Sequence, residues 1–457
     1  MNDIIIIGAG LTGLCSALTL SYHLSPLRPD LQITIYERHA VPSTSGGAIS
    51  LGPVALRYLD RLGVLDELDR FGPEAGVEVD AIEIFSTRTG KELGMIDFTG
   101  KNGTGYSGDC DKRYKGRRVL RITLTLAMIA AAEKTGNVQI VFGKKLVGRT
   151  HINIPNRIAV LFEDGTTADG DLLLGCDGVN SPTRTKIVDP GYTAQYSGFS
   201  LVQSTIPTSR LRTSAHFRTT SLNISRHGSF LMSFFDKQRE ELFLSAMVEC
   251  REEAVEDHRV ESYAQGDPHR QTLISESLRR EIFERFGDSA IPCVREVAAA
   301  TDIEWLLYPI HEVPPGGRWH VDKALLLGDA AHAMLPRDES VTYALDDAIL
   351  FSRILAQYLD YPLQTTFEIY ESLRRHDVNT AFKASRKLWD VRYRDAGVIE
   401  SRFKEWLLPL RLKQSRSDRD AAFEFDAEKI EIPTPQDSRS CSSGSSGVFD
   451  EKKFLFD

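Results

Sequence analysis

Apolar runs and their spacing divide the chain into a recognisable succession of elements. Ile4 to Ile7 is an uninterrupted β-branched run bounded by glycine, which predicts a strand buried on both faces of a parallel sheet. A helical spacing follows, with Leu14, Ala17, Leu18 and Leu20 on one side, and then a second short strand over Gln32 to Tyr36. Leu56, Leu59, Leu62 and Leu65 predict one helix over Val54 to Leu68, and Leu120, Leu124, Met128 and Ile129 predict another over Val119 to Glu133. Alternation in Val77 to Phe85 predicts antiparallel strands of a second layer. Leu172 to Gly178 reads as another buried strand that meets a turn. From Ser197 to Glu249 the pattern is β-rich and aromatic, as in Phe230 to Phe235 and Leu242 to Val248, and suits a sheet that walls a cavity. Long helical periodicities cover Val341 to Leu359 and Thr366 to Tyr393. Asp437 to Gly447, DSRSCSSGSSG, is of low complexity and expected to be disordered. No internal repeat is visible, and the alternation of strands and helices predicts an α/β protein.

The turn after the first strand carries specific chemistry. In IIIIGAGLTG, Gly8 supplies a tight turn, Gly10 lets backbone approach a pyrophosphate, and Gly13 allows close contact of helix and strand. The helix that follows aims its unpaired N–H groups at the phosphates. Glu37 ends the second strand, close to the roughly 20-residue spacing of a ribose-binding acid. An ionised carboxylate accepts from free ribose hydroxyls and repels a 2′-phosphate, so this site is expected to take FAD or NAD, not NADP.

Composition narrows the alternatives. The 457 residues are 42% hydrophobic, enough for two or three domains, and the formal net charge of −9 leaves no basic footprint for nucleic acid or for anionic membranes. Six cysteines stand apart with no C-x-x-C pair, which fits reduced thiols in the cytoplasm and offers no zinc site. The four-residue apolar run at the N-terminus is not expected to be a secretory leader, and no stretch approaches the ~20 apolar residues of a membrane span. No G-x-S-x-G elbow or other nucleophilic arrangement is evident.

A second motif stands about three hundred residues downstream: ALLLGDAAH, Ala324 to His332. Together with the glycine turn and with DLLLGCDGVNSPTR, Asp171 to Arg184, it resembles the single-component (class A) FAD-dependent monooxygenases, which include aromatic-ring hydroxylases and tetracycline-modifying flavin monooxygenases. The resemblance covers roughly Asp3 to Arg394. It implies a Rossmann-like FAD-binding domain over 1–75, 115–185 and 300–360, interleaved with a β-sheet substrate domain over 76–114 and 186–299. C-terminal helices over 361–410 and a mostly disordered tail over 411–457 complete the expected division.

The resemblance also implies roles for residues. Gly8, Gly10, Thr12, Gly13, Glu37, Arg38, Ala48, Arg121, Asp177, Gly328, Asp329, Ser340 and Val341 are the expected cofactor-binding set, with Arg121 against the flavin side chain and Gly328 and Asp329 holding the ribityl chain. Asp177, Gly178, Ser181 and Arg184 match a motif that the family uses for FAD and for the nicotinamide donor; Asp177 capping its own turn with Arg184 paired to it is the plainer alternative. His332 matches a structural histidine. The implied reaction is hydroxylation of an aromatic or polycyclic small molecule with NADH or NADPH and O₂ through a C4a-hydroperoxyflavin, in secondary metabolism or aromatic catabolism. A dehydrogenation or rearrangement on the same fold, or a non-enzymatic escort or inhibitor protein, are the alternatives.

Two departures from the family pattern stand out. Where the family follows its Gly-Asp motif with a proline, Gly-Gln-Gly and a helix, this chain reads Pro336, Arg337, Asp338, Glu339, Ser340, Val341, Thr342, one residue shorter and without glycine, with the two carboxylates expected to face solvent. Gln203 stands where several phenol hydroxylases of the family carry an arginine, and a neutral amide cannot stabilise a phenolate as a cation would. Tyr308 and His311, in LYPIHEV, are polar enough to serve as a catalytic base, but an exposed loop is the expectation for them.

Overall fold

The computed structural model describes residues 1–43, 47–108, 111–150, 156–250, 268–336, 340–392 and 394–434. Its organising layer is a six-stranded sheet in the order Val138–Val141, Gln32–Tyr36, Asp3–Ile7, Leu172–Gly175, Ala324–Leu326, His320–Val321. The first five strands are parallel and only the last pair is antiparallel. Ile6 pairs with Ile35 on one side and Leu174 on the other, so the apolar run lies in the middle of the sheet, and Ile4 to Ile7 are buried. The helix Leu11–Leu24 packs over the sheet and against Ser340–Gln357, where Thr19 Oγ1 donates to Ala348 O at 3.2 Å.

A seven-stranded sheet forms the second layer, in the order Leu306–Glu312, Gln195–Pro207, Glu241–Glu249, Gly228–Phe234, Thr220–Ser225, Ala81–Ser86, Glu92–Asp97. All its pairs are antiparallel except Thr220–Ser225 with Ala81–Ser86. The period of two along each strand gives the sheet two apolar faces. Val202, Leu244 and Ala246 turn to one side and bury against Leu278, Ile282, Phe286 and Val294 of the helices Pro268–Phe286 and Pro292–Ala299. Leu201, Gln203, Phe243, Ser245 and Met247 turn to the other, toward the six-stranded layer. A small sheet of Ala48–Leu51, Gly116–Leu120 and Val77–Val79 joins the two layers.

Three expectations are corrected here. The helix predicted over Val54 to Leu68 is two helices, Pro53–Arg61 and Val64–Asp69, because Gly63 takes a left-handed φ of 70° between them. The helix predicted from Val119 begins at Arg121; Val119 and Leu120 belong to the strand before it. The segment 411–434 is not a disordered tail. Val398–Gln414 and Arg416–Glu424 are helices, and the chain beyond them is bound across the first layer. There Asp426 pairs with Arg61 at 2.8 Å, Ala427 N donates to Tyr58 OH at 2.7 Å, Arg353 donates to Ala427 O at 2.6 Å, and Tyr358 OH donates to Pro433 O at 2.6 Å. The low-complexity stretch Asp437 to Gly447 lies outside the described residues.

The Arg61–Asp426 pair gives a direct test of this strap. Burial raises the Asp426 pKa, but the hydrogen bond and charge of Arg61 outweigh it and hold it below the usual carboxylate value of 3.8. Its contribution to stability is therefore fully present above about pH 4 and is lost as the pH falls through the lower folded value. Asp426→Ala is expected to destabilise the protein by about 2 kcal/mol at pH 7 in urea denaturation, because Arg61 loses a partner whose own side chain is almost fully buried. The difference from the parent should shrink as the pH is lowered below 4.

Candidate functional site

The cleft lies at the carboxyl ends of the parallel strands, the usual place for a ligand in an open α/β sheet. The backbone leaves the first strand at Gly8, whose N–H donates to Tyr36 O at 2.9 Å. A Cβ on Gly8 would lie 2.5 Å from Cys176 O, and one on Gly13 would lie 1.9 Å from Gly8 O, so turn, helix and neighbouring strand meet too closely for side chains. A Cβ on Gly10 would meet nothing within 4 Å. The first turn of the helix Leu11–Leu24 thus presents its amides, through bare backbone at Gly10, to open space. Glu37 stands over this turn, accepting from Ala9 N at 2.9 Å through Oε2 and from His39 N at 2.9 Å through Oε1. Arg38 beside it is exposed.

The second and third motifs come together with the first. Gly328 has a φ of 59°, and a Cβ there would lie 2.4 Å from Thr12 Oγ1, so Thr12 packs directly on the Gly-Asp turn. Asp329 opens the short helix Asp329–His332 and is exposed to a cavity of about 420 Å³ that Ala48, Arg121, Val179 and Val341 also line. Burial lowers the Arg121 pKa and the charge of Asp329, which lines the same cavity, opposes that shift. Ser340 begins the helix Ser340–Gln357, and Val341 carries its first turn to the cavity. Arg337, Asp338 and Glu339, whose carboxylates were expected to face solvent, lie outside the described residues.

Asp177 and Arg184 are used inside the protein. Asp177 accepts from Ser181 Oγ, and from Thr183 N and Oγ1 at 2.8 Å each. Arg184 is almost fully buried and donates to Tyr192 O at 3.0 Å, to Ala330 O at 2.7 Å and to Val179 O at 2.5 Å. The guanidinium thereby ties the second motif to the third, and its contacts are with carbonyls, where pairing with Asp177 was the simple alternative.

Tyr308 and His311 correct another expectation. They lie in the strand Leu306–Glu312, and both line the cavity. With Ser245, they and Gln203 put polar groups on a wall otherwise made of Leu201, Leu222, Leu231, Phe243 and Met247. A second pocket of about 460 Å³ adjoins this one, and Gly47, Gln203, Phe243 and Tyr308 line both.

Sequence reasoning missed the group behind the site. Asp347 is fully buried and accepts from Gly328 N at 2.8 Å, from His332 Nε2 at 2.7 Å and from Arg374 Nε at 2.6 Å. Burial alone would raise its pKa; the charges and hydrogen bonds of His332 and Arg374 overcome this and hold it well below the carboxylate range. Neighbouring Asp346 accepts from Tyr58 OH at 3.0 Å, and burial pushes its pKa up to about 7. Only the spacing of Asp347 from the Gly-Asp turn could have pointed to it.

Comparison with known proteins agrees with this geometry. Residues 1–382 match the FAD binding domain family. The chain belongs to that family. It is 25% identical over 374 residues, 81% of this chain and 87% of the relative, to 6-hydroxynicotinate 3-monooxygenase of Pseudomonas fluorescens. It is 22% identical to the FAD-dependent urate hydroxylase of Mycolicibacterium vanbaalenii, over 88% of this chain and 92% of that one. Among solved structures, Klebsiella pneumoniae HpxO complexed with FAD and uric acid superimposes with a TM-score of 0.68 at 19% identity, covering 93% of this chain and 95% of that one. The tetracycline destructase Tet(51) does so with 0.62 at 18%, covering 95% and 100%.

The protein is an enzyme of the FAD-dependent monooxygenase class, and its cofactor is FAD. The residues fit that group. Bare backbone at Gly10 and the amides after it suit a pyrophosphate, the anchored Glu37 suits a ribose, and Asp329 offers a carboxylate beside a desolvated arginine. Among the described residues no cluster of His, Cys, Asp and Glu could hold a metal ion, and no helix is long and apolar enough to cross a membrane.

Two substitutions separate holding the cofactor from holding the fold. Asp329→Ala is expected to weaken FAD binding roughly tenfold or more, measured by fluorescence titration of the stripped protein, with little change in the melting temperature of the FAD-free form. Asp347→Ala leaves buried Arg374 and His332 without their carboxylate and should destabilise even the FAD-free protein, by about 3–5 kcal/mol. Equal loss of stability in the two FAD-free variants would contradict this division.

Proposed function

We propose that the protein hydroxylates an aromatic or polycyclic small molecule, with NADH or NADPH as electron donor and O₂ as the second substrate. The observation that carries the reading is the single cavity that runs from Arg121 and Asp329 to the apolar wall of the seven-stranded sheet. Bound FAD would supply the chemistry, taking a hydride from the nicotinamide and delivering the electrons to O₂, so that one oxygen atom enters the substrate and the other leaves as water. Gly8, Gly10 and Gly13 with the following amides would receive the pyrophosphate, Glu37 a ribose hydroxyl, and Asp329 and Arg121 the ribityl side. Thr12 and Gly328 would support Asp329 from behind. Ala48 and Val341 would border the ring, and the amides of the first turn of Ser340–Gln357 would favour negative charge there. Arg38, exposed beside Glu37, would contribute at the rim.

The chain's own part in the chemistry is positional. Leu201, Phe243 and Met247 exclude water from one side of the cavity, and Trp389 closes another with its indole N–H donating to Pro336 O at 2.7 Å. His311 and Tyr308 are the titratable groups on the sheet wall that could take or return a substrate proton. Cys15, Cys176, Cys250 and Cys293 are free thiols, in keeping with work in the cytoplasm.

The test is a panel of phenols, hydroxypyridines and polycyclic aromatics added to the FAD-loaded enzyme with NADH or NADPH. A substrate should accelerate NAD(P)H consumption and yield a product that carries one atom of ¹⁸O from ¹⁸O₂. Accelerated consumption with hydrogen peroxide as the sole oxygen product for every compound would favour dehydrogenation or rearrangement and overturn the hydroxylase reading.

A further inference from the structure

Gln203 sits on the strand next to the edge of the sheet, its backbone in register with Ser245 on one side and Leu306 of the edge strand on the other. Its side chain shares the cavity face with Leu201, while Val202 between them turns into the core behind the sheet. It lines both the inner cavity and the outer pocket, as Phe243 and Tyr308 do, and so stands at the neck where they join. Nε2 donates weakly to Ser245 Oγ at 3.4 Å. Oε1 is buried and accepts no hydrogen bond from any described residue. A buried acceptor with no partner is unfavourable, and in a binding site its natural complement is a donor on the ligand.

Charge on the same wall points the same way. The two arginines that line the cavity, Arg118 and Arg121, come from the small sheet and the helix after it. The seven-stranded sheet contributes no arginine or lysine to the cavity; its titratable groups there are Tyr308 and His311. An anionic group seated at the neck would bring its charge against the Gln203 carbonyl oxygen among Leu201 and Phe243; the Gln203 amide N–H is turned to Ser245, and Arg210, on the outer pocket, is paired with Asp302.

We propose that Gln203 is a specificity-determining residue that selects an uncharged aromatic substrate bearing an O–H or N–H group, which donates to Oε1 when the ring lies against the sheet. This rests on the hydroxylase reading in taking the cavity as the substrate site, and it adds the polarity of the substrate and the end at which that polar group is held. A ring anchored at the neck extends inward, toward Arg121 and Asp329. A site built around a single acceptor discriminates strongly against an analogue that lacks the donor, because binding then leaves the acceptor unpaired.

Calorimetric titration of the FAD-loaded protein with 2-naphthol, 2-methoxynaphthalene and 2-naphthoate tests this without turnover. The parent should bind 2-naphthol roughly tenfold or more tightly than either of the others, since the ether offers no donor and the carboxylate carries a charge. Gln203→Leu should remove most of the difference between the naphthol and its methyl ether. Gln203→Glu, which keeps an acceptor of the same shape, should retain binding of the naphthol and reject the naphthoate further. Equal affinity for naphthol and ether in the parent, naphthoate binding as well as naphthol, an unchanged ratio in Gln203→Leu, or no binding of any of the three would each overturn the proposal. If the ranking holds but no bound compound is hydroxylated, the selectivity stands and the hydroxylase reading falls.

Discussion

One buried carboxylate holds the site together. Asp347 receives the backbone N–H of Gly328, the ring of His332 and the guanidinium of Arg374, so the turn after a sheet strand, the short helix beyond it and the long helix Leu363–Arg392 are fixed by a single group. The backbone at Gly328 is left-handed, and a side chain there would collide with Thr12. A geometry so restricted persists when its amide has a strong acceptor. The Arg374 guanidinium and the hydrogen bonds around Asp347 make it a charge-assisted acceptor that stays ionised despite complete burial. Asp329 is the next residue along, so the carboxylate that faces the cavity is aimed by the carboxylate that does not.

The second layer solves a different problem with the same economy of residues. A sheet apolar on both faces must be covered twice, and here the helices Pro268–Phe286 and Pro292–Ala299 cover one face while the cavity, the first layer and the C-terminal helices cover the other. Because side chains alternate, Leu242, Leu244 and Ala246 are free to pack for stability while Phe243, Ser245 and Met247 can shape a ligand site on the same strand. The residues that shape the cavity are thus separate from those that build the helix-side core.

What the sequence discloses follows from how local its signal is. The glycine turn, the apolar runs of the parallel strands and the Gly-Asp turn are each specified within about ten residues, and the layers they predict are the layers observed. The strand Leu306–Glu312 was hidden by Pro309. As the edge strand of its sheet it tolerates a proline that a central strand would not, and so its Tyr308 and His311 reach the cavity. Asp347 and Arg374 lie on different helices with no shared motif, and their partnership exists only in three dimensions. The segment beyond Arg416 is rich in charge and poor in apolar periodicity. Its order comes from partners far away in the chain, Arg61, Tyr58 and Arg353, and composition cannot report these.

The distribution of charge around the cavity links these levels. Desolvation makes a charge costly unless an opposite charge or a strong hydrogen-bond partner stands near it. Arg121 and Asp329 line one end of the cavity, and behind them the fully buried Asp347 is paired with His332 and Arg374. On the sheet wall the polar positions are filled by an amide, hydroxyl groups and one imidazole. Charged groups thus stand at one end of the cavity and neutral ones on the sheet wall at the other. In the proposed reading the charged end takes the cofactor and the neutral wall the substrate, so substrate choice is separated from cofactor binding along a single cavity.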